Sequence, residues 1–141
     1  KKPKNSHGGQ GVVMCSDPAE YDEAQVCQRP ASDLGRDLRI WVLGGKIVTS
    51  ILRVSKTDFR SNFCLGGEAI PYVLSDEETK KVKKIISLVK GDYYGIDFVF
   101  NGGKIVFNEL EDTVGARMVY AKAEIDILGL FADYVNQLKR K

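Results

Sequence analysis

The chain has 141 residues, 43% of them hydrophobic, enough for one core of ordinary size and too few for two independent domains of typical length. Lys and Arg outnumber Asp and Glu by 21 to 19, a balance that gives no electrostatic ground for nucleic acid or an anionic membrane as partner. No apolar run reaches transmembrane length, and "KKPKNSHGG" does not read as a secretory signal.

In chain order, "KKPKNSHGGQGVV" places three glycines, a serine and basic residues before a predicted strand "GVVMC". Such a loop lets backbone N–H groups approach phosphate, although neither G-x-x-x-x-G-K-[ST] nor G-x-G-x-x-G is present, and a frayed terminus or plain turn fits equally well. A glycine-rich turn within seven residues of the start, before any element could pack beneath it, is expected of a fragment. His7 is the only histidine and has no triad partner in sequence, so it reads as a loop residue. "DPAEYDEA" opens like a short helix, with Asp17 as N-cap and Pro18 in the first turn. "QVCQRP" reads as a short strand and "ASDLGRD" as a polar loop whose Gly35 permits a turn. Cys15, Cys27 and Cys64 are odd in number and widely spaced, which suits reduced, partly buried thiols in a cytoplasmic protein better than disulfides or a zinc site.

"LRIWVLGGKIVTSILRVS" predicts a hairpin across Gly44 and Gly45, followed by an irregular segment "DFRSNFCLGGEA". "SDEETKKVKKIISLVKG" predicts a helix with a Ser75 to Glu78 capping box, apolar residues at helical spacing and a stop at Gly91. "YYGIDFVF" and "KIVFNELE" form a second hairpin around Asn101 to Gly103. A closing helix carries Ile127, Leu130, Phe131, Tyr134, Val135 and Leu138 as one apolar stripe. The succession predicts an α+β fold, an antiparallel sheet with helices over one face.

Glu109 and Glu111 are two apart on a strand and so share a face. Asp97 joins them only if paired residue numbers sum to an even value, which requires a three-residue or bulged connection in the second hairpin. Three converging carboxylates, each pair about 4 Å apart, would cost around 4 kcal/mol per pair at an effective dielectric near 20, against a whole-domain stability of roughly 5 to 15 kcal/mol. A hard divalent cation held by carboxylate oxygens would neutralise them. The bland alternative is a half-exposed strand with solvent-facing acids.

Taken in order, "KPKNSHGGQGVV", "GRDLRIWVLGGKIV", "DFRSNFCLGGEA" and "GIDFVF" followed by "FNELEDTVG", with twelve residues from Asp97 to Glu109, resemble the C-terminal two-thirds of an ATP-grasp domain of the RimK-type amino-acid (glutamate) ligases. The resemblance implies residues 1–30 as part of a small subdomain carrying the phosphate loop, and residues 31–141 as the C-terminal subdomain carrying the metal site. It implies an ATP-dependent carboxylate-amine ligase that works through an acyl phosphate on an amino-acid or peptide substrate, with homo-oligomerisation open. Lys2 falls on the phosphate-binding lysine, Gln28, Arg29 and Pro30 on the adenine-binding segment, and Asp37, Arg60, Ser61 and Asn62 on further nucleotide-contacting positions. Asp97, Glu109 and Glu111 fall on the Mg²⁺ (or Mn²⁺) positions, and Arg60 and Arg53 on positions that would meet the transferring group. The chain departs from the pattern at Glu111, where the family usually has asparagine followed by "SSPG". It departs again at Arg29 and Pro30 and in a shortened first helix, and it carries no counterpart of the family's N-terminal domain. A non-catalytic nucleotide-binding or interaction module on the same fold is the alternative from a different functional class.

Overall fold

The computed structural model describes residues 1–6, 9–15, 23–61, 67–112 and 114–140. The predicted helix at Asp17, together with His7, Asn62 and Cys64, lies outside the described residues. Two sheets form. Strands β1 (Lys2–Pro3) and β2 (Gln25–Val26) pair antiparallel as a small ribbon. The main sheet has the order β5-β4-β3-β6-β7, all antiparallel, built from β3 (Asp33–Leu43), β4 (Lys46–Val54), β5 (Glu68–Pro71), β6 (Tyr93–Asn101) and β7 (Lys104–Asp112).

Both predicted hairpins form, across Gly44-Gly45 and Gly102-Gly103, each pair with positive φ. Glycine takes these left-handed conformations without the cost a side chain would impose. Sheet order then follows from the central position of β3, which pairs with β4 on one side and β6 on the other.

Alternation along these strands sorts the side chains by face. Leu38, Ile40 and Val42 of β3 join Ile96, Phe98 and Phe100 of β6 in one buried cluster. Helix α1 (Asp76–Ile86) closes it with Val82, Ile85 and Ile86. The predicted capping box is present: Glu78 N–H donates to the Ser75 hydroxyl at 3.3 Å, and Ser75 N–H donates to the Glu78 carboxylate at 2.8 Å. The helix stops at Ile86, short of the expected Gly91, because Leu88 and Val89 turn back with N–H bonds to Ile85 and Ile86.

The opposite face begins with Trp41, Ile51 and Ala69, which pack with Met118 and Val119 of α2 (Arg117–Lys122) and Ile127 of α3 (Ile127–Leu138). The helices therefore divide between the two faces of the sheet, where the sequence led us to expect them on one. Helix α2 was not anticipated: six residues are too few to show a helical period. The predicted stripe on α3 is only partly covered, since Ile127 is buried while Leu130, Phe131 and Leu138 are exposed. Among the described residues no helix is long and apolar enough to cross a membrane.

Two further local expectations change. Residues 11–15 do not form the strand predicted for "GVVMC". Gly11 has φ of +71°, and Val13 donates its N–H to the Lys1 carbonyl at 3.0 Å and accepts from the Lys1 amino group at 2.7 Å instead of entering a ladder. The "polar loop" from Asp33 instead opens β3, as a bulge opposite β6 that brings Gly35 into the sheet with φ of +69°. Of the cysteines, Cys15 is half-buried and Cys27 is exposed, both as free thiols.

Candidate active site cleft

One face of the sheet is mostly apolar, with Ser50 and Arg36 as polar members, the latter stacked over Phe100, whereas the other changes character beyond Trp41. On that second face β3 presents Asp37 and Arg39, β4 presents Arg53, β6 presents Asp97 and β7 presents Glu109 and Glu111. Register does this: Asp37 lies opposite Arg53, Arg39 opposite Asp97, and Asp97 opposite Glu109.

The last pairing answers the condition posed by the sequence. The Gly102-Gly103 turn has two residues and pairs Asn101 with Lys104, a register that by itself would send Asp97 and Glu109 to different faces. Phe98 pairs with Phe107, and the next pair is Asp97 with Glu109, so Asn108 is the extra residue of a bulge. The bulge turns the acids of β7 onto the face of Asp97.

These charges form a continuous chain whose centre, Asp97 and Arg53, is buried and whose ends, Asp37 and Glu111, are partly exposed. Arg39 Nε and Nη2 donate to both oxygens of Asp97 at 2.7 Å each, a bidentate pair. Arg39 also pairs with Glu111. Arg53 donates from Nη2 to Asp97 at 2.8 Å and from Nε and Nη2 to Asp37 at 2.5 and 2.8 Å. Burial pushes the Asp37 carboxyl up, the charge of Asp97 adds to this, and the Arg53 guanidinium and Ser61 hydroxyl work against both. Burial disfavours the Arg53 charge, yet the two aspartates outweigh it and hold the guanidinium protonated.

Above this floor lies a cleft of about 790 Å³ between the small ribbon and the polar face of the main sheet. Its walls contain Lys2, Gln28, Arg29 and Pro30 on one side and Asp37, Arg53, Arg60 and Ser61 on the floor and flank. Asp97, Glu109 and Glu111 line it as well. Every site residue predicted from sequence and described in the structure thus borders one space. Their accessibility differs sharply. Asp97 and Arg53 are 3% and 4% exposed, Ser61 is buried, and Glu109 stands in solvent.

Arg60 sits at the mouth, half-buried. Its guanidinium chelates Asp58, at 2.7 Å for the Nη2 contact, and Nη1 donates to the Gly9 carbonyl at 3.1 Å, tying the glycine-rich start to the main sheet. The side-chain bonds from Arg60, reinforced by its backbone N–H, hold the Asp58 carboxyl down at about 2.

The acid set has the right chemistry for a hard divalent cation, being oxygen donors on one face. Among the described residues, however, no three such side chains converge into a formed metal cage, because Asp97 and Glu111 are turned to Arg39. Arg39 was not among the residues singled out from sequence. Its signal was present in the alternation of "RDLR", which puts Arg39 on the face of Asp37, but only the pairing of β3 with β6 sets it against Asp97.

The description "RimK-like ATP-grasp domain" matches residues 2–135. An uncharacterized protein of Mycoplasma genitalium is 32% identical over 125 residues, covering 82% of this chain and 44% of its own length. N-acetylaspartylglutamate synthase A of Homo sapiens is 27% identical over 97% of this chain and 38% of its own. Among solved structures, the ATP-grasp ligase PsnB, complexed with a phosphomimetic variant of minimal precursor, Mg and ADP, superposes with a TM-score of 0.57. That match is 21% identical and covers 73% of this chain and 32% of that one, a likeness of fold. The chain spans less than half the length of each of these proteins. With the match running through both sheets and the whole polar face between them, the chain belongs to the RimK-like ATP-grasp family.

Proposed function

We propose that the protein is an ATP-dependent carboxylate-amine ligase, joining an amino acid or peptide to a carboxylate through an acyl phosphate. The observation that carries this reading is the cleft itself, which gathers phosphate-type, nucleotide-type and acidic residues from both sheets around one space. The synthase among the similar proteins supports amide-bond formation as the reaction class.

In this reading residues 1–30 contribute one wall and residues 31–141 the floor. A substrate carboxylate attacks the γ-phosphorus of ATP and ADP leaves. The amine nitrogen then attacks the acyl carbon, inorganic phosphate leaves, and the amine gives up a proton. Lys2 meets the phosphates, and Gln28, Arg29 and Pro30 lie along the base. Asp37, Ser61 and Arg60 contact the nucleotide, with Asn62 as a further contact. Asp97, Glu109 and Glu111 would hold Mg²⁺, which when bound offsets the negative charge of the phosphoryl oxygens. Arg53 is committed to Asp37 and Asp97 and so holds the acids in place, while Arg60, whose guanidinium is held at the mouth by Asp58 and the Gly9 carbonyl, is assigned to the transferring group. A cytoplasmic setting fits the free thiols of Cys15 and Cys27.

Titration of the full-length protein with ATP, with and without Mg²⁺, tests the reading against a non-catalytic module. Metal-dependent nucleotide binding and ADP release with an amino acid or peptide are expected, and absence of metal-dependent binding sinks the proposal. Glu109→Ala should lower metal-dependent turnover by about 100-fold or more. Its thermal midpoint should stay put, because the side chain is exposed and unpaired among the described residues. Full turnover in the variant would make the acid surface decoration.

A further inference from the structure

Asp97 has both carboxylate oxygens filled by guanidinium donors: Arg39 takes one each with Nε and Nη2, and Arg53 adds a third bond. Arg39 is also the partner of Glu111. A divalent cation that used Asp97 and Glu111 would therefore have to enter a place where one positive group already stands. A full bidentate pair at 2.7 Å, between an Asp that is 3% exposed and an Arg with a side chain 13% exposed, is not a contact that solvent screens away.

We propose that Arg39 is a built-in competitor for the metal: without a divalent cation it holds Asp97 and Glu111, and a cation bound by these acids displaces it into the cleft, where its guanidinium faces the phosphates. This deepens the ligase reading and rests on it for the metal, but it concerns a residue that the reading does not use. The physical reason is charge. With Asp37 left out of the count, Asp97, Glu109 and Glu111 are still three acids on one face against the guanidiniums of Arg39 and Arg53, so the face keeps a negative charge that attracts a cation, while Arg39 reduces that attraction. The presence of an acid at 111 matters here, because a carboxylate holds the guanidinium more strongly than a neutral amide would.

The test measures binding of Mn²⁺ alone, by the paramagnetic signal of the free ion, to full-length wild-type protein, Arg39→Met and Arg39→Lys. Arg39→Met keeps the length of the stem and removes the charge. It should bind Mn²⁺ without nucleotide on the order of tenfold more tightly than wild type, from the loss of one nearby positive charge. Arg39→Lys, which keeps the charge but loses the bidentate fork, should bind Mn²⁺ less tightly than Arg39→Met, and equal affinity of the two variants overturns the proposal. An Arg39→Met protein that melts cooperatively and binds Mn²⁺ no more tightly than wild type overturns the proposal while leaving the ligase reading intact. If no form binds Mn²⁺ even with ATP added, both fall.

A second measurement needs no variant that might lose its fold. In wild-type protein the Arg39 Nε–H, bonded to Asp97, should be protected from hydrogen exchange and lose that protection when Mg²⁺ and a non-hydrolysable ATP analogue are added. Protection that persists with both bound overturns the proposal.

Discussion

Asp58 and Arg60 show how one short pair sets the mouth of the cleft. Arg60 holds the Asp58 carboxyl down at about 2, whereas in the unfolded chain it titrates near 3.8. The folded state therefore binds fewer protons in that interval, and the stability the pair contributes is fully present above about pH 4 and is lost as pH falls toward 2. Asp58→Asn should flatten this part of the acid unfolding curve, measured by denaturant midpoints between pH 2 and 5. A curve of unchanged slope would show the pair to be without energetic weight. Asp37 has the opposite sense, since burial favours its protonated form, so the two aspartates do not lose their native role in the same pH range. The identity of such residues was legible in the motif "DFRSN" and in "GRDLR", but their accessibility was not. Burial depends on what the rest of the chain lays over them.

At the scale of the element, the entrance of β3 depends on Gly35. Its N–H donates to the Phe59 carbonyl at 2.8 Å and its own carbonyl accepts from Ser55 N–H at 2.7 Å. A Cβ there would come within 2.8 Å of the Ser55 carbonyl oxygen and 3.0 Å of the Asp58 carbonyl oxygen, with φ at +69°. Neither backbone oxygen can swing aside. Gly35→Ala should cost about 1 to 3 kcal/mol, read as a shift in urea midpoint, and a shift below a few tenths would contradict the geometry. The glycine itself stood out in sequence as a turn residue, yet the turn proved to be a bulge within a strand. The second hairpin repeats this lesson. The turn at Asn101 to Gly103 was visible in "NGGK", but the choice between a three-residue loop and a two-residue loop with a bulge, made at Asn108, was not, because an extra residue in a ladder leaves no mark on composition or period.

For the whole molecule, the question is what holds the segment Gln28 to Pro30 against the main sheet. Ser32 and Asp33 do this by gripping the tip of the second hairpin, some seventy residues away in sequence. Ser32 N–H donates to the Asn101 side-chain oxygen at 3.0 Å, and Gly102 N–H donates to the Ser32 hydroxyl at 2.7 Å. Gly103 N–H donates to Asp33 at 2.9 Å, and the Ser32 hydroxyl donates to the same carboxylate at 2.6 Å, which keeps that carboxyl below its usual range. Asp33→Ala should raise KM for ATP several-fold while changing kcat less, because it loosens the wall of the cleft and leaves the acid floor alone. Steady-state kinetics check this, and an unchanged KM would mean that the segment is held by other contacts.

The sequence by itself determined both hairpins, the capped helix α1, the closing helix and the residue types of the cleft. These are local matters of glycine conformation, alternation and capping. Which face each acid occupies, the burial of Asp97, and its capture by Arg39 were decided only in the tertiary structure. Those outcomes hang on the register of β3 against β6 and on one bulge in β7, and register is a property of two strands meeting, not of either strand alone.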